Sequence, residues 1–341
     1  MFFASDNTGP ALPEVMQAIN EANQGYVLGY GNDDLTREVT QSIRDIFQAP
    51  DALVYLVSTG TSANALALSC LAQPYQTVFC APMAHIQEDE CGAPEFYSGA
   101  KLSLVGSDDK IAANELDAEI QKCLERGFQG VKPGALSISQ VTEFGQVYTL
   151  DEIGTLTEVA KAHNLPVHLD GARFANAMVA LGCTPAEMSW KAGIDAVSFG
   201  GTKNGCLGVE AVILFDPDKA VEFEARRKRG GHLQSKHRYL AAQMKAYLAN
   251  DLWLNTAQNA NENAAYLLAQ LAKIGVKFDY PPEANVLFCQ LPKQIHAKLQ
   301  DAGASYYTYD ESHETITARL VCDWSIPRPS IEQFIEICRS A

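Results

Sequence analysis

The stretch "AVSFGGTKNGC", residues 196–206, decides how the rest of the chain is read. A short apolar run breaks on a glycine pair, a threonine and one lysine, Lys203, set among small residues. A run this short and this apolar, bounded by glycine, fits a strand buried on both faces of a sheet. A lysine at its end admits two readings. One is a loop lysine in water; the other is a Schiff-base amine, which needs a dry site and neighbours that favour its deprotonation. Partners elsewhere in the chain have to decide.

Working outward, similar runs recur: "LVYLV" (53–57), "TVFC" (77–80), "KLSLV" (101–105), "ALSIS" (135–139), "PVHLD" (166–170) and "VEAVILF" (209–215). Helical stretches such as "TLDEIGTLTEVAKAHN" lie between several of them, with Asp151 and Glu152 suited to a first turn. In "DDLTREVTQSIRDIF" Leu35, Val39, Ile43 and Phe47 fall on one helix face. This alternation predicts an α/β fold with a mostly parallel sheet flanked by helices. Residues 235–271 read as long helices. Beyond them "VKFDY", "NVLFCQ" and "TARLVCDW" alternate with helices over 294–301 and 331–339. The expected organisation is a large unit, residues 1–250 including an N-terminal arm, and a smaller C-terminal α+β unit, residues 251–341.

Composition narrows the class. With 26 basic and 41 acidic side chains the formal net charge is −15, which repels nucleic acid and anionic lipid. No stretch is apolar enough for a membrane span, and the start "MFFASDNTG" has no secretory pattern. Nine cysteines without C-x-x-C spacing fit reduced thiols in a cytoplasmic protein, not a disulfide framework or a structural zinc. The basic run "RRKRG", 226–230, reads equally as a helix end and as a collector of anionic groups.

Four further segments carry chemistry. "STGTSAN" (58–64) joins a strand to a helix, where Gly60 and Thr61 offer backbone N–H groups and a hydroxyl to an anion, or simply form a capped turn. In "PVHLDGARF" Asp170 ends a strand beside Gly171, at the edge where open sheets bind ligands. A helix cap explains Asp170 too but leaves Arg173 without a reason. "MAHIQEDECGAPEF" holds His85 among consecutive acids that splay around a helix, so a ring-stacking or acid–base histidine is expected and no metal site. Arg319 sits in a strand-like run, as a surface residue or a carboxylate ligand. A lysine for an imine, an acid for a pyridine nitrogen and donors for a phosphate are the parts that pyridoxal phosphate requires.

The wording of "ASDNTG", "STGTSAN", "AHIQEDECGAPE", "HLDGARF" and "SFGGTKNG" resembles the threonine aldolases, with the aspartate-aminotransferase-like fold of pyridoxal-phosphate enzymes. "RRKRGGHLQSK" and "LWLNTAQNAN" resemble the bacterial low-specificity branch, including its phenylserine aldolases. The resemblance implies that Lys203 carries the cofactor, Asp170 pairs with its ring nitrogen and His85 stacks on the ring. Gly60, Thr61 and Thr202 would hold the phosphate, while Ser5, Arg173 and Arg319 would grip the substrate carboxylate. Tyr30 would act across a subunit interface, making the protein a homo-oligomer, dimer or tetramer. The implied reaction is retro-aldol cleavage of a β-hydroxy-α-amino acid to glycine and an aldehyde, with His85 or a water it holds as the hydroxyl base. A β-eliminating lyase or aminotransferase would share Lys203 and Asp170, and a non-catalytic homologue would need neither.

Two departures stand out. Where many members carry Thr-His-Asn, the chain reads "SISQVTEFGQVY", with Thr142 near that place and no histidine. An arginine expected after the basic run falls on Gln234, passing its contacts to Arg227, Arg229 or Lys236.

Overall fold

The computed structural model describes residues 1–107, 109–280, 282–309 and 314–340. Seven strands form one sheet: β1 (Leu53–Val57), β2 (Gln76–Cys80), β3 (Lys101–Leu104), β4 (Lys132–Ser139), β5 (Val167–Gly171), β6 (Ala196–Gly200) and β7 (Glu210–Leu214). Their order is β1-β7-β6-β5-β4-β2-β3. Strands β2 to β6 pair in parallel, and β7 is antiparallel to both β6 and β1. Every residue of β5, β6 and β7 is buried, as their near-continuous apolar sequences require of strands covered on both faces.

This topology places the carboxyl ends of β1, β2, β4, β5 and β6, with the amino end of β7, along one edge. Residues 58–61, 84–85, 140–144, 171–173 and 201–203 all leave from there. The glycine pair at the end of β6 has a steric reason. A Cβ on Gly200 would lie 2.5 Å from the Ala172 carbonyl oxygen, and one on Gly201 2.7 Å from that of Val209. Only glycine lets the chain turn toward Lys203 while pressed between those two backbones.

Below the sheet edge, the helix Asp34–Ile46 starts at Asp33, whose carboxylate accepts the Thr36 N–H at 2.9 Å. It delivers Phe47, fully buried, against the rings of Phe174 at 5.4 Å and Phe199 at 5.7 Å.

Four antiparallel strands make the second sheet: β8 (Lys277–Phe278), β9 (Val286–Pro292), β10 (Tyr307–Tyr309) and β11 (Thr315–Val321), ordered β10-β11-β9-β8. Helices Lys293–Asp301 and Arg328–Arg339 cover it over a separate core that includes Leu287, Leu320 and Phe334. The 22-residue helix Leu252–Lys273 joins the units. Its Trp253 and Ala257 belong to the large core, its Leu267 and Leu271 to the small one.

The start of the chain departs from the expected grouping with the large unit. Phe3 is an apolar side chain with a place in the small core, 5.0 Å from the Phe334 ring. Its N–H donates to the Ser305 carbonyl at 2.7 Å, and its carbonyl accepts the Val321 N–H at 2.8 Å.

Phe47→Ala removes a ring from the contact between the helix and the β5–β6 region. It should cost about 3–5 kcal/mol, read as a lower denaturant midpoint with an unchanged slope.

Candidate active site

Along the carboxyl edge lies a cleft with lobes of about 930 and 480 Å3 that share Asn7, His85, Asp170, Ala172 and Lys203. Ser5, Arg173 and Arg319 line the larger lobe; Gly60, Thr61 and Thr202 line the smaller. The topology thus gathers every expected site residue except Tyr30. That residue is half-exposed and outside both lobes, with Lys228 Nζ 4.7 Å from its ring centre. None of Arg227, Arg229, Gln234 and Lys236 lines the cleft either. Arg227 is buried against the Tyr55 ring at 4.8 Å.

Asp170 is 5% exposed. It accepts the Asn64 side-chain N–H at 2.7 Å and the Ala172 N–H at 3.0 Å. Burial alone would push its pKa up, but His85, His168, Lys203 and the Ala172 N–H outweigh that and hold it below the usual carboxylate value. His168, two residues earlier on β5, is pinned between the hydroxyls of Ser137 and Ser198, each at 2.9 Å. Burial lowers its pKa to about 4.

Asn64 also donates to Glu90 at 2.8 Å. His85 Nδ1 lies 2.9 Å from the same Glu90 oxygen. His85, Glu90 and Asp170 bring donor atoms close enough to suit a cation, but the Asn64 amide already spans the two carboxylates. The hydrogen bond that His85 donates to Glu90 raises the His85 pKa against burial, with Asp170 adding to the rise and Lys203 opposing it. Burial pushes Glu90 up as well, against the hydrogen bonds from His85 and Asn64.

Lys203 stands in a single tight turn, Thr202–Asn204. Burial and then the Arg173 charge lower its pKa, against the pull of Asp6, Asp170 and Glu210. A larger share of its amine is therefore free base, the nucleophilic form. Glu210, at the start of β7, accepts the Gly201 N–H at 2.8 Å, and burial raises its pKa to about 7. At the other end of the small lobe the helix Gly60–Leu71 begins. Thr59 Oγ1 caps the Ser62 N–H at 3.1 Å, leaving the N–H groups of Gly60 and Thr61 without an intrahelical acceptor.

The arginines are tied to the chain's start. Asp6 takes Arg173 Nε at 2.7 Å and Nη2 at 3.0 Å in a buried pair, and Asn285 donates to Asp6 at 3.2 Å. Arg319 Nη1 donates to the Ala4 carbonyl at 3.2 Å.

The sequence model of the beta-eliminating lyase family matches residues 3–293. A low specificity L-threonine aldolase of Pseudomonas aeruginosa is 40% identical over 341 residues, covering 99% of this chain and 96% of that protein. The chain belongs to the threonine aldolase family. A threonine aldolase structure from Leishmania major superposes with a TM-score of 0.94 at 27% identity, over 99% of this chain and 98% of that one. A structure of SPT with PLP has the same fold, at a TM-score of 0.71 and 19% identity over 100% and 86% of the two chains.

Pyridoxal phosphate is the cofactor of these aldolases, and the cleft fits it. A Cβ on Gly60 would meet nothing within 4 Å, so open space faces the helix donors that suit a phosphate. Beyond it lie Asp170, held below the usual carboxylate range, and Lys203, whose amine burial makes less basic. Sequence reading of this aldolase missed Asp6, Asn64, Glu90, Glu143 and Glu210 as site residues. Glu210 carried a signal, an acid inside an apolar strand.

A histidine whose pKa is raised on folding adds stability that is complete below its unfolded value of about 6.5. That stability is lost as pH rises through the folded value. In cofactor-free protein the stability advantage of wild type over His85→Asn should therefore shrink between about pH 6 and alkaline pH. Imidazole NMR of Glu90→Gln should find the His85 pKa displaced downward.

Proposed function

We infer that this protein is a pyridoxal-phosphate-dependent aldehyde-lyase that cleaves L-threonine and related β-hydroxy-α-amino acids to glycine and an aldehyde. The observation that carries the reading is the meeting of Lys203, Asp170 and the Gly60–Thr61 turn in one cleft of a threonine aldolase. When bound, the cofactor accepts the electron pair released as the Cα–Cβ bond breaks. Lys203 would hold it covalently, Asp170 as a carboxylate would keep a proton on the ring nitrogen, and the His85 imidazole would contact the ring. Gly60, Thr61 and Thr202 take the phosphate. Ser5, Arg173 and Arg319 fix the substrate carboxylate, with Asp6 setting the plane of the Arg173 guanidinium. Positioning of this kind can supply on the order of 7–11 kcal/mol in favourable cases.

The larger lobe supports a broad β-substituent, with phenylserine within its range. Phe144 stacks on Tyr280 at 4.3 Å and meets the Phe288 edge at 5.1 Å, and Tyr307 and Tyr309 complete an aromatic wall. The exposed run Tyr26, Val27, Leu28 and Tyr30 supports a homo-oligomer in which Tyr30 reaches a neighbour's cleft. Nine free cysteines support a reducing, cytoplasmic setting. Among the described residues no helix is long and apolar enough to cross a membrane. Separate hydrophobic cores in the large sheet and in the small one support the division of the chain near residue 250.

Purified protein supplied with the cofactor should show a visible absorption band and release acetaldehyde and glycine from L-threonine, and Lys203→Ala should lose both. Phe144→Ala should lower kcat/KM for phenylserine roughly tenfold more than for threonine, the scale of one lost apolar contact. Keto acid and ammonia as the products would replace the aldolase reading with β-elimination, and a cofactor left carrying the amino group would replace it with transamination.

A further inference from the structure

Cleaving the Cα–Cβ bond of a β-hydroxy amino acid requires a base for the hydroxyl proton. His85, the candidate from sequence, has Nδ1 committed to Glu90, and its raised pKa keeps the ring protonated to higher pH. A different group on the same sheet edge meets the requirement better.

Glu143 follows β4 by four residues. Its Oε1 accepts from the Ser139 hydroxyl at 2.8 Å and from the His85 backbone N–H at 2.9 Å. Its Oε2 is buried and has no hydrogen-bond partner among the described residues. The side chain lines the larger lobe with Lys203, Arg173 and Arg319, and the next residue, Phe144, opens the aromatic wall where a β-substituent would lie. One oxygen is fixed by the protein and the other is left over.

We propose that Glu143 is the catalytic base that takes the substrate's β-hydroxyl proton, with Oε2 as the accepting atom. The proposal rests on the aldolase reading above. In the step the O–H pair becomes the second bond of the aldehyde carbonyl, the Cα–Cβ pair leaves toward Cα, and the proton passes to Glu143. A proton from solvent, not the one held by Glu143, is delivered to Cα of the glycine product. Glu143 releases its own proton to solvent, so the carboxylate is regenerated, the protons balance and no co-reactant is consumed.

Electrostatics agree with the geometry. Burial, then the charges of Asp109 and Asp170, raise the Glu143 pKa to about 7, against the hydrogen bonds from Ser139 and His85. Among the described residues Arg173, Cys80 and Tyr148 also feel its charge. Asp170, on the neighbouring strand, is pushed the opposite way. Two carboxyls driven apart on one edge take different tasks, and a base works best with a pKa near the working pH.

The test compares wild type, Glu143→Gln and Glu143→Asp, each loaded with cofactor, in two reactions: aldehyde release from L-threonine, and exchange of the glycine α-proton in D2O. Exchange needs the cofactor site but no hydroxyl base. Glu143→Gln should lose cleavage by about 10²–10⁴-fold, while its visible band and its exchange rate stay within about threefold of wild type. Glu143→Asp should restore part of the cleavage, and serves alone if the Gln variant does not fold. In wild type, cleavage kcat/KM should fall as pH drops through about 7, as the carboxylate takes up its proton. In cofactor-free protein carrying 13C-labelled glutamate carboxyls, one resonance absent from Glu143→Gln should titrate in the same range. Cleavage kept within threefold in Glu143→Gln overturns the proposal. So does loss of the band and of exchange along with cleavage, which would make the residue structural. A wild type that exchanges glycine but releases no aldehyde from any β-hydroxy amino acid overturns the aldolase reading itself.

Discussion

The Asn64 side chain, donating to Asp170 and to Glu90 at once, is the contact on which the rest of the site depends. A buried carboxylate persists as an ion only where donors and opposite charges replace its water. Asp170 has the Asn64 amide, the Ala172 N–H and the charges of His85 and Lys203. The same amide orients Glu90, and Glu90 orients His85. One asparagine on the helix that follows β1 thus sets an ion on β5 and a ring beyond β2. Those elements stand together only because the sheet order brings their carboxyl ends to one edge.

Charge at that edge is graded. Lys203 is made less basic by burial and by Arg173, and the Asp6 carboxylate beside Arg173 partly offsets that effect. Asp6 arrives on a segment whose first residues belong to the small unit, and Arg319 of β11 reaches the same segment. Arg173 and Arg319 are therefore both tied to a strap running from the small core to the large one.

Much of this was legible in the sequence because the signals were local. Lys203 and Asp170 each close a short apolar run beside glycine, and the edge of a parallel sheet is where such residues converge. The missed parts have partners far along the chain. Asp6 and Arg173 are 167 residues apart, and nothing near "ASDNTG" announces a buried ion pair. Asn64 looked like one more small polar residue in a helix start. Glu143 occupies the segment where the family's histidine is absent, and its unpartnered oxygen is seen only once Ser139 and the His85 backbone are found to hold the other. Strand β10 escaped because three residues with two exposed tyrosines carry no buried pattern.

The fold holds Asp170 below the usual carboxylate range, and we infer that its charge keeps a bound pyridine ring protonated. The direct measurement is the 15N NMR shift of the ring nitrogen in enzyme reconstituted with 15N-labelled pyridoxal phosphate at neutral pH. The account predicts a protonated nitrogen in wild type and a neutral one in Asp170→Asn. A neutral nitrogen in the wild-type enzyme would contradict it.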